Sequence, residues 1–250
     1  MKTTLLINKW SLLPVLLLTI ACGEQNKISS ARSSDNTLSK TEIKNGWKLL
    51  FDGKTTNGWR AYNGPAIPAG WSIEEGALKT SGTAHDAIGG DIIYGAEPFD
   101  NFELEVDWKL SKGGNSGIFY HVVEGKQYHA PYETGPEYQV IDDVGFPEKL
   151  EDWQKVGVDY AMYTPETEKI LKPVGEWNHS RIVFTPQKVE YYLNGKLTVS
   201  FVPWSEDWQK RRTTGKWHDY PDYGKAKSGL IGLQDHGSPV WFKNIKIRKL

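Results

Sequence analysis

The chain holds a single cysteine, Cys22, in 250 residues, so no disulfide can form within it and its stability must come from packing. It has no charge bias either. The 30 Lys and Arg nearly balance the 31 Asp and Glu, and a formal net charge of −1 supplies no pull toward nucleic acid or anionic lipid. Long apolar runs are missing: the Leu-rich stretch Leu12–Leu18 is short and interrupted by Pro14, which excludes a spanning helix there. No internal repeat is evident, and His85, His121, His129 and His236 are scattered without the spacing of a metal site. What the chain does contain is aromatic and turn-rich: 11 Trp, 12 Tyr and 25 Gly, with apolar residues in short alternating runs rather than helical stripes. That composition indicates an all-β protein. Aromatic rings in excess of what a core needs suit stacking on sugars, while most of them are expected to fill the core itself.

The N-terminus reads as an export signal over residues 1–21. Lys2 and Lys9 precede the Leu-rich stretch, and the small Ala21 stands directly before Cys22. A lone cysteine at that point resembles a bacterial lipoprotein signal, with Thr19 where such signals usually carry Leu. The resemblance implies lipidation of Cys22 and an exported protein of the cell envelope, periplasmic or surface-exposed, held to a membrane by its lipid alone. An ordinary secretory signal with an incidental cysteine is the alternative. Residues 22–44, rich in Ser, Asn, Lys and Thr, are expected to form a flexible tether ahead of one domain over residues 45–250.

Within that domain the stretch Phe102–Asp142 is the best ordered in pattern. Phe102, Leu104, Val106, Trp108 and Leu110 alternate with charged residues, which predicts a strand with one dry face. Ser116–Val123 is a second strand, and the Gly-rich Ser111–Asn115 between them predicts a hairpin. Glu137-Tyr138-Gln139-Val140 places Glu137 and Gln139 on one face and Tyr138 and Val140 on the other. Tight hairpins are expected at Glu75-Gly76 and Asn194-Gly195. Near the C-terminus, Ile231 and Leu233 share one parity while Gln234 and His236 share the other, and the parity of the last strand slips between Phe242 and Ile245 as at a bulge. The aperiodic stretch Val144–Val174, with a short strand at Ala161–Tyr163, is expected to be a long loop or short helix over one mouth of the sheet, and Asp207–Lys227, with its aromatic side chains, a loop bordering a cleft.

Six motifs in order now carry a family resemblance. Phe51-Asp52-Gly53-Lys54-Thr55 with Gly58-Trp59, Gly114–Tyr120, Glu137-Tyr138-Gln139, Gly175–Asn178, Leu193-Asn194-Gly195, and Gly232–His236 with Phe242–Ile245 resemble the 3-keto-disaccharide hydrolase domain. The resemblance implies a concanavalin A-like jelly-roll sandwich of two antiparallel sheets with a concave groove. It also implies a glycoside or oligosaccharide substrate whose C3 hydroxyl a partner sugar dehydrogenase has oxidised to a ketone. The ketone acidifies the C2 proton, so that a base can remove it and the C1 substituent can leave; water addition then completes a net hydrolysis.

Glu137 is the expected base, and His236 a proton-transfer group or metal ligand. Gln139, Gln234, Asn115 and Tyr120 are expected to bind substrate, and Ser116 to satisfy backbone groups. No cofactor is expected, with a divalent cation left open. Two other readings stand beside this one. A two-carboxylate glycosidase needs a second acid facing Glu137, and Asp142 and Asp235 have the wrong parity for it. A non-catalytic sugar-binding module would use the same architecture without turnover.

Overall fold

A computed structural model describes Met1 and residues 34–82, 89–165 and 168–250. Cys22, the export signal and His85 lie outside the described residues. The folded unit spans Ser33–Leu250. No helix among the described residues is long and apolar enough to cross a membrane.

The strands in chain order are β1 (Lys48–Leu49), β2 (Trp59–Ala61), β3 (Trp71–Glu74), β4 (Ala77–Ser81), β5 (Ile92–Phe99), β6 (Phe102–Leu110) and β7 (Asn115–Val122). They continue with β8 (Glu137–Ile141), β9 (Asn178–Phe184), β10 (Val189–Leu193), β11 (Lys196–Phe201), β12 (Gly229–Leu233) and β13 (Pro239–Lys249), and helices α1 (Lys40–Lys44) and α2 (Glu206–Thr214) complete the set. They form an all-β sandwich of the expected class. An eight-stranded sheet runs β11-β10-β9-β6-β13-β4-β3 with β1 on β13, and a five-stranded sheet runs β2-β5-β12-β7-β8. All the pairings are antiparallel.

Strand alternation sets the core. Leu104, Val106 and Trp108 of the large sheet meet Ile118, Tyr120, Tyr138 and Val140 of the small one, all of them buried. Polar atoms that enter are bonded there: the Trp108 indole donates to Ser180 Oγ at 2.8 Å. Truncating such a side chain to Ala typically costs about 2–5 kcal/mol. Both expected hairpin turns form. Glu75 and Gly76 have φ of 50° and 75°, and Asn194 and Gly195 of 49° and 83°, the left-handed pair that a type I′ turn demands.

Two expectations fail here. β6 and β7 are not a hairpin: β6 pairs with β9 and β13, β7 with β8 and β12, and Ser111–Gly114 carries the chain from one sheet to the other. A Gly-rich turn permits reversal, but the long-range partners decide whether the chain reverses within a sheet or across the sandwich. The fold begins earlier than residue 45, because Asn36 is bound into it. Its backbone N–H donates to Asn244 Oδ1 at 2.6 Å, its Oδ1 accepts from Asn244 N at 2.8 Å, and its Nδ2 donates to Gly76 O at 2.8 Å. Ser39 and Glu42 then form a capping box on α1. Asn244 is available for this because the register of β13 on β6 slips between Lys243 and Lys246, the bulge that the parity indicated.

The segment after β11 leaves the sandwich and returns. Ser205 caps α2 by accepting from Trp208 N, and the Asp207–Arg211 pair at i, i+4 lies on its surface. The aromatic side chains of this excursion form a ladder. Phe201 stacks on Trp208, Trp208 on Tyr223 and Tyr223 on Trp217, the last pair with ring centroids 4.0 Å apart and 7° between planes. Trp217 and Tyr220 then reach Tyr132.

Candidate active site

The outer face of the small sheet is organised by register. Ile93, Gly232, Phe119 and Glu137 stand opposite one another across β5, β12, β7 and β8. The next row toward the sheet end includes Gly117 opposite Gln139, with Gln234 donating its backbone N–H to Gly117 O at 3.0 Å. Asn115, opposite Ile141, is one step further along the same face. Glu137, Gln139 and Gln234 therefore share the face that the alternation predicts, and Asn115, expected in the turn before the strand, joins them as the first residue of β7.

Gly117 explains how Glu137 lies. A Cβ built at position 117 would be 2.1 Å from Glu137 Oε1, so the carboxyl rests where any other residue would put a side chain. This packing leaves Glu137 only 4 % exposed. Loss of hydration raises its pKa to about 8; the Lys216 ammonium opposes the rise and the Asp91 charge adds to it. Lys216 reaches over the rings of Tyr160 and Trp217, 4.3 and 5.0 Å from their centroids, and loss of hydration on burial lowers its own pKa while Glu137 acts against the shift.

A second buried acid lies behind Glu137. Asp159 is fully buried, and its carboxyl is pushed well above the usual range by desolvation first and by Glu137 second, with Tyr223 working the other way. Both Asp159 oxygens, the Tyr223 hydroxyl and the Trp208 indole N–H are buried without a partner in hydrogen-bond geometry.

Two adjoining pockets open over this face. One, of 490 Å³, is lined by Tyr62, Asp91, His129, Tyr132, Gln234 and His236 among others. The other, of 520 Å³, includes Lys112, Asn115, Phe146, Glu148, His236 and Ser238. His236 lines both. Asp91 accepts from Asp235 N at 2.9 Å, yet burial raises its pKa to about 7, with the Asp235 charge adding to the rise.

The structure corrects one expected binder. Tyr120 is fully buried between the sheets, and its hydroxyl is 2.7 Å from that of Tyr191. Its parity is that of Ile118, and the phenol completes a core hydrogen bond rather than facing a ligand. Ser116 does serve the backbone, donating to Gln234 O at 2.6 Å. Asp91 and Lys216 join the site without having been expected there. Asp91 shares the parity of Ile93 on the outer face and is readable from alternation, whereas Lys216 sits in an aperiodic stretch with no such signal. Among the described residues no group of three or more His, Cys, Asp or Glu side chains is arranged to hold a metal ion.

Residues 46–248 match the family described as the 3-keto-alpha-glucoside-1,2-lyase-like domain. A 3-keto-disaccharide hydrolase of Bacteroides thetaiotaomicron is 37 % identical over 229 residues, covering 82 % of this chain and 79 % of the relative. A crystal structure of a putative glycosyl hydrolase from Parabacteroides distasonis superposes with a TM-score of 0.80 at 46 % identity, covering 87 % of this chain and 100 % of that one. A second putative glycosyl hydrolase from the same organism gives a TM-score of 0.62 at 30 % identity, covering 82 % of this chain and 99 % of the other. With the sandwich, the outer-face carboxyl and these relatives in agreement, the chain belongs to the 3-keto-alpha-glucoside-1,2-lyase-like domain family.

Proposed function

We propose that this protein cleaves 3-keto-glycosides by elimination and hydration, with Glu137 as the base. The observation that carries the reading is the carboxyl itself. It is buried on the open face of the small sheet, lies across Gly117, and has a pKa raised to about 8 by desolvation. A base is most effective when its pKa is close to the working pH, and removal of a proton beside a ketone needs a stronger base than an ordinary carboxylate.

In the proposed reaction Glu137 takes the C2 proton, and the C2–H electrons move toward the C3 carbonyl to form an enolate. The enolate collapses, C3=O re-forms, a C1=C2 double bond appears and the C1–O bond breaks, with the departing oxygen taking a proton. Water then adds its oxygen to C1 and a proton to C2, which saturates the C1=C2 bond beside the intact C3 ketone and gives net hydrolysis. Lys216, the cation coupled to Glu137, is the group we assign to the enolate charge. His236, Asp91 and Gln234, which line the first pocket, and Gln139, opposite Gly117 on the same face, are assigned to substrate hydroxyls and to the leaving oxygen. A sugar C3 dehydrogenase must supply the ketone, and the elimination and hydration steps as written draw on no further cofactor. From the signal-like residues 1–21 and the cysteine that follows them we also propose a location in the cell envelope, with Cys22 as the lipid-bearing residue.

The retaining two-carboxylate route is disfavoured by register. Asp91 precedes β5 and Glu137 is on β8, three inter-strand steps away, so their backbones are about 14 Å apart. That separation keeps the two carboxyls beyond the ~5 Å of a retaining pair, and comparison of oxidised and unoxidised substrates decides for or against the ~6.5–9.5 Å of an inverting one. The deciding experiment incubates the protein with a 3-keto-disaccharide and with its unoxidised parent in deuterated water. Cleavage of the keto form alone, with deuterium at C2, is expected. Equal cleavage of both forms points to an ordinary glycosidase, and binding without cleavage to a sugar-binding module.

A further inference from the structure

The two pockets share His236 as a common wall, and each has a volume within the ~300–1,000 Å³ of small-ligand sites. They differ in their relation to the base. The first contains Asp91, whose charge acts on Glu137; the second begins at Asn115, one side-chain pair or about 7 Å beyond Gly117 along β7. We propose that the second pocket receives the leaving group of the cleaved glycoside when that group is itself a sugar, an assignment that rests on the function proposed above.

The side chains of the pocket define the ligand. Asn115 is 8 % exposed and faces the site, and its Oδ1 is buried without any hydrogen-bond donor, while its backbone N–H is already used by Ser238 Oγ at 3.0 Å. A buried amide oxygen left in this state is costly, and a ligand hydroxyl is the donor it lacks. Phe146 packs its ring against the core from a half-exposed position, which offers an apolar surface for the face of a sugar. Lys112 and Glu148 add one donor group and one acceptor group of opposite charge at the rim. This combination selects a neutral polyol and disfavours an anion or a purely apolar aglycone.

The pocket is also pre-built. Asp142 accepts from Gly113 N at 2.9 Å on one wall and from Val144 N and Gly145 N at 3.1 and 2.9 Å on the other. One carboxylate thus fixes both loops that carry Lys112, Phe146 and Glu148. A pre-formed site of this kind loses little loop entropy on binding.

The test compares kcat/KM of wild type, Asn115→Ala and Phe146→Ala on a 3-keto-disaccharide and on the methyl glycoside of the same keto sugar. Each variant is expected to lose roughly tenfold more on the disaccharide than on the methyl glycoside, the scale of one lost hydrogen bond or stacking contact. An equal loss on both substrates, or none, overturns the assignment while leaving the proposed function in place. Wild type that cleaves neither keto substrate overturns the function and the assignment with it. If Asn115→Ala does not fold, Phe146→Ala decides alone, and two-state melting checks its fold.

Discussion

Replacing Glu137 with glutamine should make the protein more stable and nearly inactive, and the stability gain should depend on pH. The unfolded chain releases this proton near the ordinary value of 4.5, whereas the folded protein keeps it up to about 8 because the carboxyl is desolvated. Between those values the native state binds more protons than the unfolded state, so stability is lost as pH rises across the window. At about 1.36 kcal/mol per pH unit, the side chain costs the fold roughly 3 kcal/mol at pH 7 and approaches ~5 kcal/mol above pH 8. Below the lower value the cost vanishes. The glutamine amide would keep the shape over Gly117 without an ionisation to suppress. For a domain of this size about 3 kcal/mol corresponds to roughly 6–12 °C in Tm. Melting wild type and Glu137→Gln from pH 4 to 9 reads the Glu137 ionisation together with its charge coupling to Asp91 and Asp159, which disfavours the same charged state and so has the same sign. The two Tm values should meet at the acid end and diverge toward pH 8, while turnover falls by about 10²–10⁴-fold at all pH values. A constant difference, or a variant less stable at pH 8, would refute the buried-base argument.

Three further outcomes are expected. Lys216→Met removes the cation that lowers the Glu137 pKa, so the rising limb of kcat/KM against pH should move to higher pH; a profile left in place removes Lys216 from the site. Gly117→Ala puts a Cβ within 2.1 Å of Glu137 Oε1, so the carboxyl must move, with a stability loss of about 1–3 kcal/mol and a fall in turnover measurable on the 3-keto substrate. Cys22→Ser should release the protein into the aqueous phase in detergent partitioning or leave an uncleaved precursor, and unchanged partitioning argues against lipidation.

The local pattern of this chain is readable because each strand carries its own two-residue period. Phe102–Leu110, the type I′ turns at Glu75-Gly76 and Asn194-Gly195, and the bulge ahead of Ile245 all follow from a few neighbouring residues. The same period puts Glu137 and Gln139 on one face, whereas Asn115 reads as the end of the Gly-rich turn and reaches that face only because β7 starts one residue earlier. The period does not reveal that β6 and β7 separate into different sheets, because that depends on β13 and β12, each more than a hundred residues downstream. Tyr120 invites a binding role by residue type, although its parity already groups it with Ile118. Lys216 becomes visible only when the excursion after β11 folds back onto Tyr160, since a tertiary approach of this kind leaves no trace in local periodicity.

The ring ladder in that excursion also gives the molecule an internal optical reporter. Trp217 and Tyr223 are stacked with nearly parallel planes and centroids 4.0 Å apart, and Trp217 adjoins Lys216, so their coupled transitions in the near ultraviolet register the placement of the cation proposed for the enolate. The sandwich itself is recorded separately, by the far-ultraviolet signal of its strands. Loosening of the excursion would erase the first spectrum and spare the second, which separates local opening at the candidate site from global unfolding in a single instrument.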